Sequence, residues 1–183
     1  MVRIVGGVTL VALAAGLVMA FVVAPREATQ GNVQRIMYVH VPSVWVAYLA
    51  FAVVLVASIV YLARRAEGAD RLAHASAEVG VLFTGLTIAT GSIWGKPTWG
   101  TWWTWDARLT SVSILFVMYL GYLLLRGMIE DPDQGARYAA VLGIVAAFNI
   151  PLVHFSVYWW RTLHQPPSLL KPGPGTLPGG IVA

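Results

Sequence analysis

Long apolar runs, separated by short polar segments, divide the chain into five stretches. Each stretch is close to the ~20 residues that a helix needs to cross the hydrocarbon core of a bilayer. Lipid offers the backbone no hydrogen-bond partners, so such spans must be helical. The predicted spans are residues 4–24, 41–63, 78–94, 109–125 and 139–158. The pattern therefore predicts an all-α, polytopic membrane helix bundle with five transmembrane helices.

The composition supports this class of protein and excludes several kinds of cofactor and metal site. The 183 residues are 58% hydrophobic and 11% charged, whereas a soluble domain carries about 25% charged residues. Because there is no cysteine, disulfides, iron–sulfur clusters, thiolate zinc sites and covalently attached haem are excluded. The net charge of +4 is too small to indicate nucleic-acid binding.

The two ends of the chain differ in character. Arg3 precedes the first apolar run as it would in a signal peptide, but the run exceeds the usual ~7–15 residues, so we expect a retained helix. Residues 166–183 are rich in proline and glycine, which favours an extended tail. The expected organisation is one transmembrane domain at 1–165, with an outer loop at 94–106, followed by that tail.

Tryptophan is concentrated on one side of the predicted bundle. Five of the eight tryptophans lie in the predicted outer loop, at Trp94, Trp99, Trp102, Trp103 and Trp105. With five spans, all eight fall on the side opposite the amino terminus, whereas an ordinary aromatic belt marks both interfaces. Two interpretations follow: membrane anchoring, or a shelf for a large, flat, apolar ligand.

Lysine and arginine divide evenly between the two sides, so the positive-inside rule does not decide the orientation. The tight group of Arg64, Arg65 and Arg71 favours a cytoplasmic amino terminus.

Two histidines lie on the tryptophan side. His40 falls on an apolar helical stripe at the mouth of span two, with Pro42 suited to the first helical turn. His164 is expected in a last helical turn, because Pro166 disfavours helix at the residue before it. Alone, each is explained by a buried hydrogen bond or a helix cap. Together, on the side that carries the tryptophans, they could hold a planar macrocycle with one imidazole on each face, and bis-histidine ligation is a standard way to hold haem iron without a covalent bond.

The other two histidines are less informative. His154 lies within the last span, three residues after Pro151. An ionisable residue in a span is a functional candidate, but His154 could equally bond a carbonyl that the proline leaves free. His74 lies on the other side of the predicted bundle and is interpreted as interfacial.

Three charged residues flank the tryptophans. Asp106 fits a helix N-cap, and capping or a contact with the ligand would each explain it. Arg108 and Arg161 could pair with carboxylates such as haem propionates, or anchor the interface.

The segment GSIWGKP resembles a phosphate loop but lacks its spacing and its Ser or Thr. We therefore expect no ATP hydrolysis by this chain and no enzymatic activity.

The segment WGTWWTWD, Trp99 to Asp106, resembles the WWD signature of the haem-handling proteins of cytochrome c assembly. With YVHVP before it and WWRTLHQ after it, the chain resembles the CcmC family of haem exporter proteins over nearly its whole length. That resemblance implies that the WWD segment contacts haem b, and that His40 and His164 are its axial ligands.

The resemblance also implies a biological setting. It implies an inner-membrane protein with a cytoplasmic amino terminus and a periplasmic haem site, which transfers haem to a membrane-tethered haem chaperone. The implied partners are the ATP-binding subunit, the second membrane subunit and the small single-span subunit of an ABC-type export complex. The family usually has six spans, and five are predicted here. A membrane b-type electron-transfer cytochrome is the alternative class, and a channel-forming permease is a third.

Overall fold

The computed structural model describes residues 1–164, so the predicted tail at 166–183 lies outside the described residues. Within residues 1–164 the structure contains helices and no strand, and five helical segments are long and apolar enough to cross a membrane. The prediction of an all-α bundle is confirmed. The helices are α1 (Val2–Val18), α2 (Met37–Arg64), α3 (Glu67–Trp99), α4 (Ala107–Met128), α5 (Pro132–Ala147) and α6 (Asn149–Trp159).

Helix α1 lies apart from the rest of the bundle. None of the residues of Val2–Val18 is buried, and a π-helical turn, Met19–Val23, continues the helix. Arg35 secures its end by donating from Nη1 to the Phe21 carbonyl at 2.7 Å and from Nη2 to the Ala24 carbonyl at 2.6 Å. The packed bundle is therefore built by the later helices.

Helix α3 is longer at both ends than the predicted span 78–94. It begins at Glu67, where acidic residues in the first turn suit the positive end of the helix dipole. It continues through Pro97 to Trp99 and ends at Gly100, whose φ of 78° needs the left-handed region that glycine adopts readily. Gly95 and Pro97, which lie in the predicted outer loop, are therefore part of the helix.

The last predicted span is two helices rather than one. Helices α5 and α6 meet at Phe148, just after Ala147. Pro151 has no N–H to donate to the Ala147 carbonyl four residues earlier, and its ring crowds that carbonyl. This is the physical reason for the break between α5 and α6.

The core lies between α2, α3, α4 and α5. Phe51 stacks on Tyr119 with ring centroids 3.7 Å apart, and the Tyr119 hydroxyl donates to the Gly143 carbonyl at 3.1 Å. Helix α3 passes this stack at Gly80, where a Cβ atom would come within 2.2 Å of the Phe51 ring. The close approach of α2 and α3 therefore depends on glycine at this position.

Helices α2 and α3 form an antiparallel hairpin. The turn is tight because Arg65 adopts a left-handed conformation and its N–H bonds the Tyr61 carbonyl at 2.8 Å. At the same end of the bundle, Arg126 of α4 pairs through both Nη atoms with Asp70 of α3, at 2.5 and 2.7 Å. The hairpin places the start of α2 beside the end of α3, which is where the site residues meet.

Candidate functional site

His40 is buried at the start of α2, with 8% of its surface exposed. Helix α2 begins at Met37, after a 3-10 turn at Val33–Ile36, so Pro42 lies beyond the first turn that we predicted for it. The His40 Nδ1 atom lies 3.1 Å from Thr90 Oγ1, and the Trp94 indole meets the imidazole edge-on at 5.9 Å between centroids. The ring is therefore held against α3.

His164 lies beyond α6, and the prediction that it sits in a last helical turn is wrong. Helix α6 ends at Trp159, and the backbone at Trp160 is extended. Residues 160–164 therefore lie outside any helix. The segment is tied to the start of α4, since the Leu163 N–H donates to Asp106 Oδ2 at 3.0 Å.

The fold nevertheless brings the two predicted ligands together. The imidazole centroids of His40 and His164 are 6.4 Å apart, with their planes at 33°. The Trp99 indole lies 6.1 Å from the His164 ring. His40 and His164 thus face one cavity although they come from opposite ends of the chain.

That cavity lies between α2, α3, α4 and α6 and has about 1500 Å³ free of protein atoms, part of it open to solvent. Its wall is mostly apolar, and its aromatic members are Trp45, Tyr48, Trp94, Trp99 and Trp103.

The predicted tryptophans divide into two groups. Trp94, Trp99 and Trp103 line the cavity, the first two from α3 rather than from the loop predicted at 94–106. Trp102 and Trp105 lie outside the described cavity wall and are 56% and 77% exposed. Trp105 packs edge to face against Trp103, with centroids 5.6 Å apart. The loop thus presents indoles on both of its faces.

Two of the cavity tryptophans differ in how their N–H groups are satisfied. Trp94 Nε1 donates to Gln30 Oε1 at 2.9 Å, which orients its ring. Trp103 Nε1 is buried and makes no hydrogen bond to any atom of residues 1–164. A buried donor of this kind is costly unless something bonds it, so Trp103 offers a free N–H to a ligand.

The predicted N-cap role of Asp106 is confirmed, because Asp106 Oδ1 accepts from the Leu109 N–H at 2.9 Å. Arg108 lines the cavity, where its Nη1 lies 3.5 Å from the carbonyls of Val153 and His154. Arg161 is exposed and lies outside the described wall of the cavity.

His154 also lines the cavity, where its ring lies 6.5 Å from that of Tyr48. The Tyr48 hydroxyl is buried and has no partner within residues 1–164. His74 is far from these groups: it lies near the start of α3, where its Nε2 is 3.7 Å from Glu78 Oε1.

Sequence reasoning missed several polar or small residues of this site, among them Gln30, Tyr48, Thr90 and Gly91. A usable signal existed for one of them. Thr90 lies four residues before Trp94 and therefore shares its helix face. Gln30 carries no such signal, because its contact with Trp94 joins segments far apart in the sequence.

The residues present fit a haem. An imidazole nitrogen binds a first-row metal ion at about 2 Å, so two imidazoles on opposite sides of one iron hold their centroids roughly 6 Å apart. The observed 6.4 Å agrees with that separation. Residues 1–164 contain no group of three or more side chains able to hold a bare metal ion, whereas a porphyrin needs only axial ligands from the protein.

The fold and the site define a multi-pass helical membrane protein with an aromatic cavity that His40 and His164 both line. The sequence model of CcmC, described as Heme exporter protein C, matches residues 1–181. The chain belongs to this family.

Three relatives carry the same description, Heme exporter protein C. The chain is 47% identical to that of Bradyrhizobium diazoefficiens over 92% of its length and 64% of the relative's. It is 45% identical to that of Haemophilus influenzae, over 89% and 66% of the two chains. It is 40% identical to that of Escherichia coli K12, over 86% and 64%. The chain thus spans about two thirds of the length of the curated relatives it matches.

Proposed function

We propose that this protein binds haem b without a covalent bond, with His40 and His164 as the two axial ligands of the iron. The observation that carries this proposal is the 6.4 Å separation of the two imidazoles on the wall of one aromatic cavity. A further support is the family, whose relatives are described as Heme exporter protein C.

Each residue near the cavity has a part in this proposal. Trp94, Trp99 and Trp103 provide flat apolar walls, and large aromatic contact areas contribute strongly to binding. Arg108, whose guanidinium borders the cavity, is suited to a propionate carboxylate. Asp106 acts through the backbone by holding the segment that carries His164.

Trp102, Trp105 and Arg161 are assigned to the entrance. The Trp102 carbonyl accepts from Ser92 Oγ at 2.8 Å, and Ser92 belongs to the cavity wall. Trp105 supports Trp103 from outside. These exposed side chains would meet haem as it enters or leaves rather than enclose it.

We further propose that haem is cargo, so the protein is a carrier and not an enzyme. When bound, haem would supply the iron that the imidazoles of His40 and His164 coordinate. His40 is buried on helix α2, whereas His164 lies on an irregular segment after α6. Irregular segments open locally at lower free energy than packed helices. Release on the His164 side therefore gives a route for passing haem onward.

On the same grounds we propose the setting of this transfer. The acceptor is a membrane-tethered haem chaperone of cytochrome c maturation. The complex contains an ATP-binding subunit, a second membrane subunit and a small single-span subunit. Family membership supports this assignment. The absence of a phosphate-loop sequence in the chain agrees with ATP hydrolysis by another subunit.

The electron-transfer cytochrome receives less support. Transfer across a membrane calls for histidine pairs at two depths. His74 is paired with Glu78, and His154 borders the same cavity as His40. Reversible reduction of bound haem by a quinol, with no loss to an acceptor protein, would favour the cytochrome.

The haem proposal is tested by absorption spectra of the purified protein. His40→Ala and His164→Ala should each convert a six-coordinate, low-spin spectrum into a five-coordinate or weak-ligand one, and added imidazole should partly restore it. His74→Ala is the matched control and should leave the spectrum unchanged. If His154→Ala abolishes low-spin haem and His164→Ala does not, His154 is the ligand and the proposed pair is wrong.

For the location we propose the bacterial inner membrane, with a cytoplasmic amino terminus and the cavity on the periplasmic face. Because the chain has no cysteine, single cysteines report the orientation directly. An impermeant thiol reagent added to spheroplasts should label Thr29→Cys and miss Gly68→Cys, where a new side chain meets no atom within 4 Å. The reverse labelling would invert the orientation.

A further inference from the structure

The hydroxyl of Thr90 makes three contacts and has one proton to share among them. Its Oγ1 lies 2.7 Å from the Leu86 carbonyl, 3.3 Å from the Thr87 carbonyl and 3.1 Å from His40 Nδ1. Carbonyl oxygens only accept, so the proton goes to the nearer of them, that of Leu86. Towards His40 the hydroxyl then has only lone pairs to offer. The contact is therefore a hydrogen bond that His40 Nδ1–H donates.

We propose that Thr90 is a positioning residue that holds His40 in its Nδ1-protonated tautomer and leaves the lone pair on Nε2 for a metal. A neutral imidazole carries its ring proton on one nitrogen only. If Nδ1 carries that proton, Nε2 keeps a lone pair that can bind a metal. The backbone carbonyl of Thr87 is a further acceptor beside this imidazole.

The same face of α3 also restricts rotation of the ring. At Gly91, the next residue, a Cβ atom would lie 3.0 Å from His40 Cε1, so glycine lets the imidazole edge rest on the helix backbone. One turn beyond Thr90, the Trp94 indole packs edge-on against the His40 ring. The Trp94 Nε1–H donates to Gln30 Oε1, which holds the indole in place. Thr90, Gly91 and Trp94 together set both the tautomer and the direction of His40.

This inference deepens the proposed function and rests on it for the identity of the metal ligand. Groups that accept the second N–H of a ligand histidine fix its orientation and raise its basicity, and their loss weakens metal binding about 10–100-fold. The tautomer itself is a property of the haem-free protein. It can therefore be measured without any assumption about haem.

The first measurement is proton-detected nitrogen NMR on the haem-free, full-length chain in lipid nanodiscs, with histidine labelled by ¹⁵N. The chain has four histidines, and His40→Ala assigns the His40 signals. The wild type and Thr90→Ser, which keeps the hydroxyl, should show the proton on Nδ1. Thr90→Val removes the acceptor with little change of shape, and a substantial part of the His40 population should move to the Nε2-protonated form.

Thr87→Val is the matched control, because Thr87 lies one turn earlier on the same wall and keeps its backbone carbonyl. Its hydroxyl is buried and bonds no atom of residues 1–164, so the His40 tautomer should not change. A wild-type His40 that carries its proton on Nε2 would overturn the proposal. So would a tautomer that is the same in Thr90→Val as in the wild type.

The second measurement is the affinity for hemin, titrated into the same samples. Thr90→Val should bind at least tenfold more weakly, and Thr90→Ser should restore most of the loss. If the tautomer changes but hemin affinity does not, the positioning role in metal binding is refuted. If His40→Ala keeps low-spin haem while Thr90→Val still changes the tautomer, the proposed ligand pair fails and the Thr90 assignment stands.

Discussion

Asp106 joins two parts of the cavity with one carboxylate. Its Oδ1 accepts from the Leu109 N–H at 2.9 Å and caps α4, and its Oδ2 accepts from the Leu163 N–H at 3.0 Å, next to His164. Asparagine has a single side-chain acceptor oxygen, so it can make only one of these two bonds. Asp106→Asn should therefore keep the helix cap and lose the link to Leu163, whereas Asp106→Ala should lose both.

The two variants should differ in stability. Asparagine and aspartate cap helices about equally well, and replacing either by alanine costs about 1 kcal/mol. Asp106→Asn keeps the cap but loses the bond to Leu163, so its free energy of unfolding should fall by about 1 kcal/mol, and that of Asp106→Ala should fall by about 2 kcal/mol because the cap is lost as well.

The two variants should share a defect in haem retention. A hydrogen bond to a charged group contributes about 1.5–3 kcal/mol, and the exposure of the Leu163 bond reduces this to about 1 kcal/mol. Because 1.4 kcal/mol corresponds to a factor of ten, both variants should bind hemin roughly fivefold more weakly through loss of His164 ordering.

The assay pairs chemical unfolding of the haem-free protein with the rate of hemin loss to an excess of a haem scavenger protein. Asp131 is a matched control, since it caps α5 at the other end of the bundle by accepting from the Asp133 N–H at 3.0 Å. Asp131→Ala should lower the free energy of unfolding by about 1 kcal/mol, the cost of one lost cap, without faster hemin loss. If Asp106→Asn retains hemin as the wild type does, the carboxylate does not position His164 and the reasoning is refuted.

Two glycine substitutions test the packing of α3 against α2. Gly91→Ala should displace the His40 ring, because its new Cβ would lie 3.0 Å from Cε1, and a loss of low-spin haem would show this. Gly85→Ala, on the same helix, meets its nearest neighbour at an ordinary 3.5 Å, so an equal loss in that variant would contradict the explanation. Gly80→Ala should lower the free energy of unfolding by about 1–3 kcal/mol through overpacking against the Phe51 ring, and an unchanged melting temperature would show that the helices can separate without cost.

The sequence alone determined the class of protein and the approximate spans. Hydropathy adds up locally, residue by residue, so a run of apolar side chains identifies a membrane helix before any packing is known. Helix ends with local chemistry were also predictable: Asp106 caps α4 because its own carboxylate reaches the next turn, and Gly100 ends α3 because of its own backbone freedom.

Hydropathy was misleading where a helix leaves the apolar layer. The polar residues from Glu67 onward dilute the hydropathy of α3, yet the helix continues there, with Ala73 and Ala77 buried in the bundle and Asp70 bonded to Arg126 of α4. Trp94 and Trp99 also belong to α3, although Pro97 lies between them. Pro97 lies two residues before the last residue of the helix, and it removes one backbone hydrogen bond there.

The tertiary structure decided which side chains meet. The contacts between His40 and Thr90 and between Trp94 and Gln30 span 50 and 64 residues of sequence. They depend on how α3 packs against α2, to which the close approach of Gly80 to the Phe51 ring contributes. Likewise, Trp103 faces the cavity and Trp105 faces outward because of the path of the loop between Gly100 and Asp106. Periodicity assigns a residue to a helix face, but only packing against the other helices determines what that face contacts.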